Sequence, residues 1–245
     1  MEKKTNLLQG IKTSSKLLAI LIDPDKVDFS KIDVLVHNLP NTTSHILVGG
    51  STVEENLTEQ LVNLLIKYTS LPIIIFPGDF TQITNNADAL LFLSLLSGRN
   101  PEFLIEQQVK SIEKLKNSSL EIISTAYLLI DGGKETSVQR VSKTLPISQE
   151  DVQEIVHTAL AGEYSGKQLL YLEAGSGAKN RVSTKIISAV KKEVSIPIIV
   201  GGGIRSKKEM EEAYQAGATM VVVGTAFEDN PTFLDAASEE METLK

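Results

Sequence analysis

The stretch Gln168-Leu-Leu-Tyr-Leu-Glu-Ala-Gly-Ser-Gly177 contains the structural unit that is repeated along this chain. A continuous apolar run ends in an acidic residue and is followed at once by a loop with two glycines. Apolar runs without alternation are typical of parallel strands that are buried on both faces. Glycine-containing turns that follow such strands are typical of βα connections. The stretch therefore predicts a buried parallel strand that enters a βα loop.

Similar apolar runs occur on both sides of this stretch and make eight in all. Amphipathic segments with helical periodicity separate them, as expected of repeated βα units around a parallel sheet. A length of 245 residues is near that of one (β/α)8 barrel. We predict a single TIM (β/α)8 barrel domain over residues 1–245, with an open doubly wound sheet as the alternative. The predicted strands are Leu17–Ile22, His45–Val48, Ile73–Phe76, Ala89–Leu93, Glu121–Leu129, Gln168–Glu173, Pro197–Val200 and Met220–Val223, and the clearest helical patterns are Val53–Tyr68, Pro101–Lys116, Ser148–Glu163 and Ser183–Val194.

One outer helix is missing from this pattern. The segment between Phe76 and Ala89 is too short and too rich in turn residues for a crossover helix with its two loops. We therefore predict a modified barrel whose third outer helix is reduced or missing, which would leave a gap for an elongated ligand. Residues Tyr127 to Pro146 are polar and are predicted to form a long loop, and long loops on the active face of a barrel tend to be functional.

Composition limits the kinds of function that the chain can have. The formal net charge of −7 argues against broad electrostatic binding to nucleic acid or anionic lipid. The chain has no cysteine, which excludes disulfides, thiolate metal sites and a cysteine nucleophile. The first ten residues hold no apolar run of signal-peptide length, and no segment reaches the roughly 18 apolar residues of a membrane span. We expect a cytoplasmic protein that has no nucleic-acid partner but can make transient contact with a membrane surface.

Three consecutive strand ends near the C-terminus combine glycine with polar residues. They are Tyr171 to Gly177, Gly201-Gly-Gly-Ile204 and Val223-Gly-Thr225. Glycine lets the backbone approach an anion closely, and backbone N–H groups after the last strands form the usual phosphate site of TIM barrels. For each segment alone, a tight turn without ligand is the alternative. Taken together, the three segments predict a phosphate-binding barrel.

Acidic and hydroxyl residues at other strand ends predict further chemistry. Asp23 ends the first strand and Ser51 follows the second, and Mg²⁺ prefers such oxygen ligands together with water and substrate phosphates. The alternative for Asp23 is a turn or a helix cap before Pro24. Glu173 ends the sixth strand beside the predicted phosphate loop, where it could accept a proton from a hydroxyl; its alternative is a structural salt bridge. The three histidines lie away from the predicted strand ends, which argues against histidine or zinc chemistry.

The combined motifs resemble the geranylgeranylglyceryl phosphate synthase family, which also contains heptaprenylglyceryl phosphate synthases. The resemblance spans Leu17 to Phe227 and implies a modified TIM barrel that transfers a polyprenyl group, with Mg²⁺, from its diphosphate to the sn-3 hydroxyl of sn-glycerol 1-phosphate. It implies that Asp23 and Ser51 bind Mg²⁺, and we add the hypothesis that Glu173 is the catalytic residue. The residues that the resemblance assigns to glycerol phosphate are Tyr171, Leu172, Glu173, Ala174, Gly175, Ser176, Gly177, Gly202, Gly203, Gly224 and Thr225. The motifs that carry it are Leu21-Ile-Asp-Pro-Asp-Lys26, Val48-Gly-Gly-Ser51 and the three segments described above.

Several points stay open at the level of sequence. Thr225 stands where many relatives have asparagine, and Arg99 could contact diphosphate or start a helix. Geranylgeranyl is the expected donor, and a homo-oligomer is expected because an open-sided barrel invites association. The apolar residues Phe233, Leu234 and Ala237 could belong either to the hydrophobic core or to an interface between subunits. Alternative functions are an isomerase or aldolase that acts on a sugar phosphate, and a non-catalytic barrel that binds a phosphorylated ligand.

Overall fold

Eight parallel strands close into a barrel in the computed structural model, which describes residues 6–230. Each strand pairs in parallel with the next, and the first pairs with the eighth. This closure confirms the barrel prediction and excludes the open sheet. The strands are β1 (Leu17–Ile22), β2 (Thr43–Val48), β3 (Ile73–Ile75), β4 (Ala89–Leu95), β5 (Glu121–Leu129), β6 (Leu169–Glu173), β7 (Ile198–Gly201) and β8 (Met220–Val223).

Helices surround the strands in the expected alternation. One short helix precedes the barrel, and a π-helical segment, Glu102–Glu106, leads into the helix after β4. The helices are α1 (Leu7–Thr13), α2 (Ile32–His37), α3 (Leu57–Tyr68), α4 (Gln107–Leu115), α5 (Ser137–Ser142), α6 (Val152–Tyr164), α7 (Thr184–Glu193), α8 (Lys207–Ala216) and α9 (Thr225–Asp229). None of the helices within residues 6–230 combines the length and the apolar character needed to cross a bilayer. Phe233, Leu234 and Ala237 lie outside the described residues.

The core has two layers because side chains along a strand alternate between its faces. On β6, Leu169 and Tyr171 join the cluster inside the barrel, whereas Leu170 and Leu172 join the cluster between strands and helices. Glu173 continues the inward series. The alternation thus decides which residues of a strand can reach a ligand at the mouth of the barrel.

The third outer helix is absent, as predicted. Between β3 and β4 the chain forms only a single 3₁₀ turn, Phe80–Gln82, which begins at Asp79. The Asp79 carboxylate accepts a hydrogen bond of 2.7 Å from the Thr81 backbone N–H and so fixes the start of the turn. A short turn covers less of the barrel wall than a full helix would. The outward residues Ile73 and Ile75 of β3 are still buried, whereas Phe92 of β4 is only partly buried and lines the cavity.

The polar region after β5 is more ordered than the sequence analysis predicted. Strand β5 ends at Leu129, as predicted, but the helix α5 lies inside the segment predicted as a long loop, so the loop prediction is wrong for Ser137–Ser142. A capping box begins the helix: Thr136 accepts from the Gln139 N–H, and Gln139 accepts from the Thr136 N–H. This Thr-x-x-Gln pattern was the sequence signal that could have located α5.

Helix α1 closes the end of the barrel where the strands begin. The backbone N–H groups of Leu7 and Leu8 donate to the Glu121 carboxylate at 2.6 and 3.0 Å. Ile11 is fully buried and packs into the cluster inside the barrel. A ligand can therefore enter from the opposite end, where the strands finish.

Candidate active site

A cavity of about 600 Å³ opens at the C-terminal ends of the strands. Its lining includes residues that follow β1, β2, β3, β6, β7 and β8, together with inward residues of β4 and β5. Active sites of TIM barrels lie at this end. The cavity therefore occupies the position at which the sequence analysis placed the candidate residues.

Most of the predicted site residues meet at this cavity. Two of them do not: Leu172 and Ala174 are fully buried, belong to the core cluster outside the barrel and do not line the cavity. The structure therefore gives no support to a contact between these two side chains and a substrate, because the alternation of β6 turns them away from the barrel axis. The residues that line the cavity as predicted are Asp23, Ser51, Tyr171, Glu173, Gly175, Ser176, Gly177, Gly202, Gly203, Gly224 and Thr225.

Glu173 is a buried carboxyl group beside the glycine loops. It is 6% exposed, and its Oε1 accepts a hydrogen bond of 2.7 Å from the Gly175 backbone N–H. Burial raises its pKa to about 7, although the hydrogen bond from Gly175 and the nearby Tyr171 hydroxyl favour the charged form. A carboxyl with a pKa near neutrality can take up and release a proton at physiological pH, as a general base requires. No ion pair within the described residues engages Glu173, so the predicted alternative of a structural salt bridge does not hold.

Three aromatic rings form the inner wall next to Glu173. Phe76 stacks on Tyr171 with ring centroids 5.1 Å apart, and Tyr127 meets Tyr171 edge-on at 5.5 Å. Burial, followed by the Glu173 charge, raises the pKa of both tyrosines well above the ordinary value, so both hydroxyls stay neutral. The Tyr171 hydroxyl is buried and makes no hydrogen bond of standard geometry. A buried hydroxyl without a partner is costly, and a bound polar ligand would satisfy it.

The predicted phosphate loops come together on one side of Glu173. Gly175, Gly177, Gly202 and Gly203 all have positive φ angles, which favour glycine. At Gly202 a Cβ atom would lie only 2.4 Å from Glu173 Oε1, so a side chain would close the space between the loops. The hydroxyls of Ser176 and Thr225 lie 3.1 Å apart and join the loop after β6 to the start of α9. These backbone and hydroxyl groups form a concave surface that suits an anion.

Asp23 and Ser51 follow β1 and β2 and line the cavity next to the loop after β8, because β1 pairs with β8. The Asp23 carboxylate packs directly on Gly50, the residue before Ser51, where a Cβ atom would be 2.7 Å from Asp23 Oδ1. The same carboxylate accepts from the Asp25 N–H at 3.2 Å, so the turn role considered for Asp23 is present as well. Within residues 6–230, no three histidine or acidic side chains converge on one point. One carboxylate and one hydroxyl suit Mg²⁺, which usually keeps waters and takes substrate phosphate oxygens.

Two charged residues that the sequence analysis did not assign complete this side. Lys26 Nζ lies 3.5 Å from Asp23 Oδ2 and 3.6 Å from Glu228 Oε2. Burial raises the pKa of Glu228, and Lys26 partly offsets this effect. The three residues bring β1 and α9 together across the β1–β8 seam, a contact that only barrel closure produces. Lys26 is the last residue of the motif Leu21–Lys26, and its place in that motif was the sequence signal that could have identified it as a site residue.

An apolar branch of the cavity extends through the gap left by the missing helix. The branch runs along β4, with the turn Phe80–Gln82 on one side and helix α4 on the other. It reaches the buried Gln108, whose Oε1 has no hydrogen-bond partner among the described residues. A polar mouth joined to an apolar branch fits a ligand with a charged head and a hydrocarbon tail. The residues of the branch include Phe80, Ile83, Leu90, Phe92, Leu93 and Phe103.

Arg99 and the histidines lie outside the cavity. The Arg99 guanidinium forms an ion pair with Glu154 on α6, so the structure gives no support to a contact with diphosphate. His37, His45 and His157 do not line the cavity either. Burial lowers the pKa of His45, whose ring is hydrogen-bonded to the neighbouring Ser44.

Comparisons with known proteins identify close relatives. Residues 12–243 match the model of the PcrB family. The chain is 52% identical over 223 residues to a geranylgeranylglyceryl phosphate synthase of Zunongwangia profunda, with 91% of this chain and 95% of the relative covered. It is 51% identical over 231 residues to that of Flavobacterium johnsoniae, with 94% and 95% covered. The crystal structure of (S)-3-O-geranylgeranylglyceryl phosphate synthase from Thermoplasma acidophilum, solved with sn-glycerol 1-phosphate, superposes with a TM-score of 0.87 at 33% identity and covers 100% of this chain and 99% of its own.

Proposed function

The chain belongs to the PcrB family, and on that premise we propose that it is a geranylgeranylglyceryl phosphate synthase. The enzyme joins a polyprenyl diphosphate to the sn-3 hydroxyl of sn-glycerol 1-phosphate and forms an ether bond. The observation that carries the proposal is the position of Glu173, a buried carboxyl with a pKa of about 7 that lies beside the glycine loops in a cavity that also has an apolar branch. The sn-3 hydroxyl of the glycerol substrate must lose its proton when it bonds to the prenyl group, so a base is needed where the two substrates meet.

The glycine loops hold the phosphate of the glycerol substrate. Backbone N–H groups around Gly175, Gly177 and Gly202, with the Ser176 and Thr225 hydroxyls, suit a phosphate dianion. This placement directs the glycerol hydroxyls toward Glu173, because the carboxylate lies beside the same loops. The buried Tyr171 hydroxyl is then available to hydrogen-bond a glycerol oxygen.

The transfer step follows from this arrangement. The oxygen of the sn-3 hydroxyl forms a bond to the first carbon of the prenyl group while the bond from that carbon to diphosphate breaks. Glu173 accepts the hydroxyl proton, and pyrophosphate leaves with the bonding electron pair. Holding both reactants in one cavity supplies much of the rate enhancement, since it replaces a bimolecular encounter. The buried aromatic wall limits access of water to the allylic centre.

Asp23 and Ser51 are the residues that would hold Mg²⁺. When it is bound there, the ion neutralises the charge that develops on the departing diphosphate. Lys26 adds a positive charge next to Asp23 and can contribute to diphosphate binding from the same side. The donor head would then lie beside β1 and α9, and the glycerol phosphate would lie on the glycine loops next to Glu173.

The apolar branch is the place for the prenyl chain. Geranylgeranyl is the proposed donor, which agrees with the names of the relatives compared above. We also propose that the enzyme works in the cytoplasm as a homo-oligomer and meets its donor transiently at a membrane surface. The proposed membrane contact rests on the apolar branch, which would accept a lipid from a bilayer.

The sugar-phosphate isomerase or aldolase fits the cavity less well. Such enzymes usually use an inward lysine, histidine or cysteine. In the described part of the chain the lining contains one lysine, Lys26, and Asp23 and Glu228 engage its ammonium group. An apolar branch also has no use in the conversion of a small sugar phosphate.

The test compares acceptors with geranylgeranyl diphosphate as donor. Purified protein is incubated with labelled sn-glycerol 1-phosphate, with its enantiomer sn-glycerol 3-phosphate, or with glycerol, and the organic phase is counted. The proposal predicts extractable product with the first acceptor and far less with the other two. Turnover of triose phosphates without any prenyl product would favour the isomerase or aldolase instead.

A further inference from the structure

The segment from Asp131 to Thr136, which joins β5 to α5, lies directly on the loop that follows β6. A Cβ atom at Gly132 would be 2.3 Å from the Ala174 carbonyl oxygen, and one at Gly175 would be 2.3 Å from Thr136 Cγ2. The Asn180 N–H also donates to the Gly132 carbonyl at 3.0 Å. The two segments are therefore in backbone contact, and glycine is needed at the points of closest approach.

Hydrogen bonds hold the covering segment in place. The Asp131 carboxylate accepts from the Gly133 N–H at 2.8 Å, and the Asp131 carbonyl accepts from Gln149 Nε2 at 2.9 Å. At its other end, Thr136 is buried and belongs to the capping box that begins α5. Anchors on both sides fix the path of the three residues between Gly132 and Thr136.

This path places the Lys134 ammonium group over Gly177. A Cβ atom at Gly177 would lie 2.9 Å from Lys134 Nζ. Lys134 is exposed, and no hydrogen bond or ion pair joins it to any of residues 6–230. Some exposed lysines pair with carboxylates, for example Lys16 with Glu211 and Lys110 with Glu102, whereas others, such as Lys12, have no such partner within residues 6–230. Lys134 does not itself line the cavity, so its charge lies at the rim, next to the glycine loop and without a counter-charge among the described residues.

The acidic side chains that line the cavity outnumber the basic ones, which favours an additional cation near the bound phosphate. Two basic residues line the cavity, Lys26 and Arg205. The Arg205 guanidinium donates to the carbonyl oxygens of Gly203 and Ala178, so part of its hydrogen-bonding capacity is used within the loops. A phosphate dianion in the cavity would meet more acidic than basic side chains, so a further cation at the rim would reduce the repulsion. The acidic lining residues are Asp23, Asp25, Asp79, Glu173, Glu228 and Asp229.

We propose that Lys134 binds the phosphate group of the glycerol substrate from the rim and is a specificity-determining residue for the phosphorylated acceptor. This inference rests on the proposed function, because it needs glycerol phosphate on the loop at Gly177. The segment Asp131–Thr136 then acts as a fixed cover that supplies charge. Lys134 stabilises bound substrate and does not touch the reacting atoms, so it affects KM and leaves kcat at saturation nearly unchanged.

The test measures binding of sn-glycerol 1-phosphate by calorimetry without prenyl donor. Lys134→Met should raise Kd about tenfold, as expected for the loss of one charge-assisted hydrogen bond at an exposed site, and should weaken the dependence of affinity on salt. Lys134→Arg should stay within about threefold of the parent, since the positive charge remains. The matched control is Lys12→Met, which removes an exposed lysine on α1 at the closed end of the barrel.

The outcomes separate this inference from the proposed function. Tight binding by the parent protein and by Lys134→Met alike would overturn the role of Lys134 and leave the transferase proposal intact. An equal loss in Lys12→Met would also overturn it, because a general effect of net charge would then explain the result. A parent protein that does not bind sn-glycerol 1-phosphate would overturn both. Unchanged thermal midpoints in all variants would show that folding is not the cause.

Discussion

Replacing Glu173 by glutamine should slow the enzyme and stabilise the protein above neutral pH. The amide keeps the size of the side chain, and its carbonyl oxygen can still accept the hydrogen bond from Gly175. It cannot take up the proton of the glycerol hydroxyl. Loss of a general base typically costs about 10² to 10⁴ in rate, and we expect kcat to fall within that range. Affinity for sn-glycerol 1-phosphate should change little.

The effect on stability follows from the pKa of the carboxyl group. It is 4.5 ordinarily and about 7 in the folded protein. Because the folded state holds the proton more tightly, raising the pH from 4.5 to 7 ionises the unfolded chain first and lowers the free energy of unfolding. At about 1.4 kcal/mol per pKa unit, the loss is about 3 kcal/mol above pH 7. Glu173→Gln does not ionise and should escape this loss.

The assay is chemical denaturation of both proteins between pH 4 and pH 8.5, without substrates. The two free energies of unfolding should be similar near pH 4 and should diverge until Glu173→Gln is more stable by about 3 kcal/mol at pH 8. In parallel, kcat/KM of the parent should rise with pH and level off above about 7, as the base loses its proton. Parallel stability curves at all pH values, or full activity of the variant, would refute the reasoning.

Three further substitutions test other parts of the site. Asp23→Asn should reduce activity at least tenfold and raise the Mg²⁺ concentration needed for half-maximal rate, because a carboxylate ligand is lost. Gly202→Ala should destabilise the protein by about 1–3 kcal/mol and abolish turnover, since φ is +81° and the Cβ atom would meet Glu173 Oε1. Tyr171→Phe should change stability by no more than about 1 kcal/mol, because its buried hydroxyl makes no hydrogen bond of standard geometry, while affinity for sn-glycerol 1-phosphate falls.

Each of these substitutions has a control or a contrary result. Asp25→Asn is the control for Asp23→Asn, and an equal loss in both would argue against a specific metal ligand. Gly224→Ala is the stability control for Gly202→Ala, because the nearest atom to its Cβ would be 3.6 Å away. Strong destabilisation by Tyr171→Phe in denaturation measurements would mean that the hydroxyl supports the fold rather than the substrate.

The strands and the missing helix could be predicted because their signals are local. Continuous apolar runs mark each strand, and the segment between Phe76 and Ala89 is visibly short. Glycine and acidic residues at strand ends also placed Glu173 and Asp23 correctly at the cavity, since parallel strands end on the same side. The same local reasoning, applied with the strand alternation, would have removed Leu172 and Ala174 from the site.

The remaining features depend on contacts between distant parts of the chain. The group of Lys26, Asp23 and Glu228 exists only because β8 pairs with β1. The pKa of Glu173 depends on burial by residues of several strands, which no single motif encodes. The position of Lys134 requires the backbone contact between two segments that lie about forty residues apart. Such features follow from barrel closure, and the sequence alone offers no measure of them.

The most direct test of the central claim is prenyl transfer itself. Purified protein is incubated with labelled sn-glycerol 1-phosphate, Mg²⁺ and prenyl diphosphates from C10 to C35, with EDTA added to a matched set. The account predicts an extractable prenyl ether that is most abundant with the C20 donor and disappears with EDTA. Absence of product with every donor, from protein that binds sn-glycerol 1-phosphate, would contradict it and favour a barrel that only binds the phosphorylated ligand.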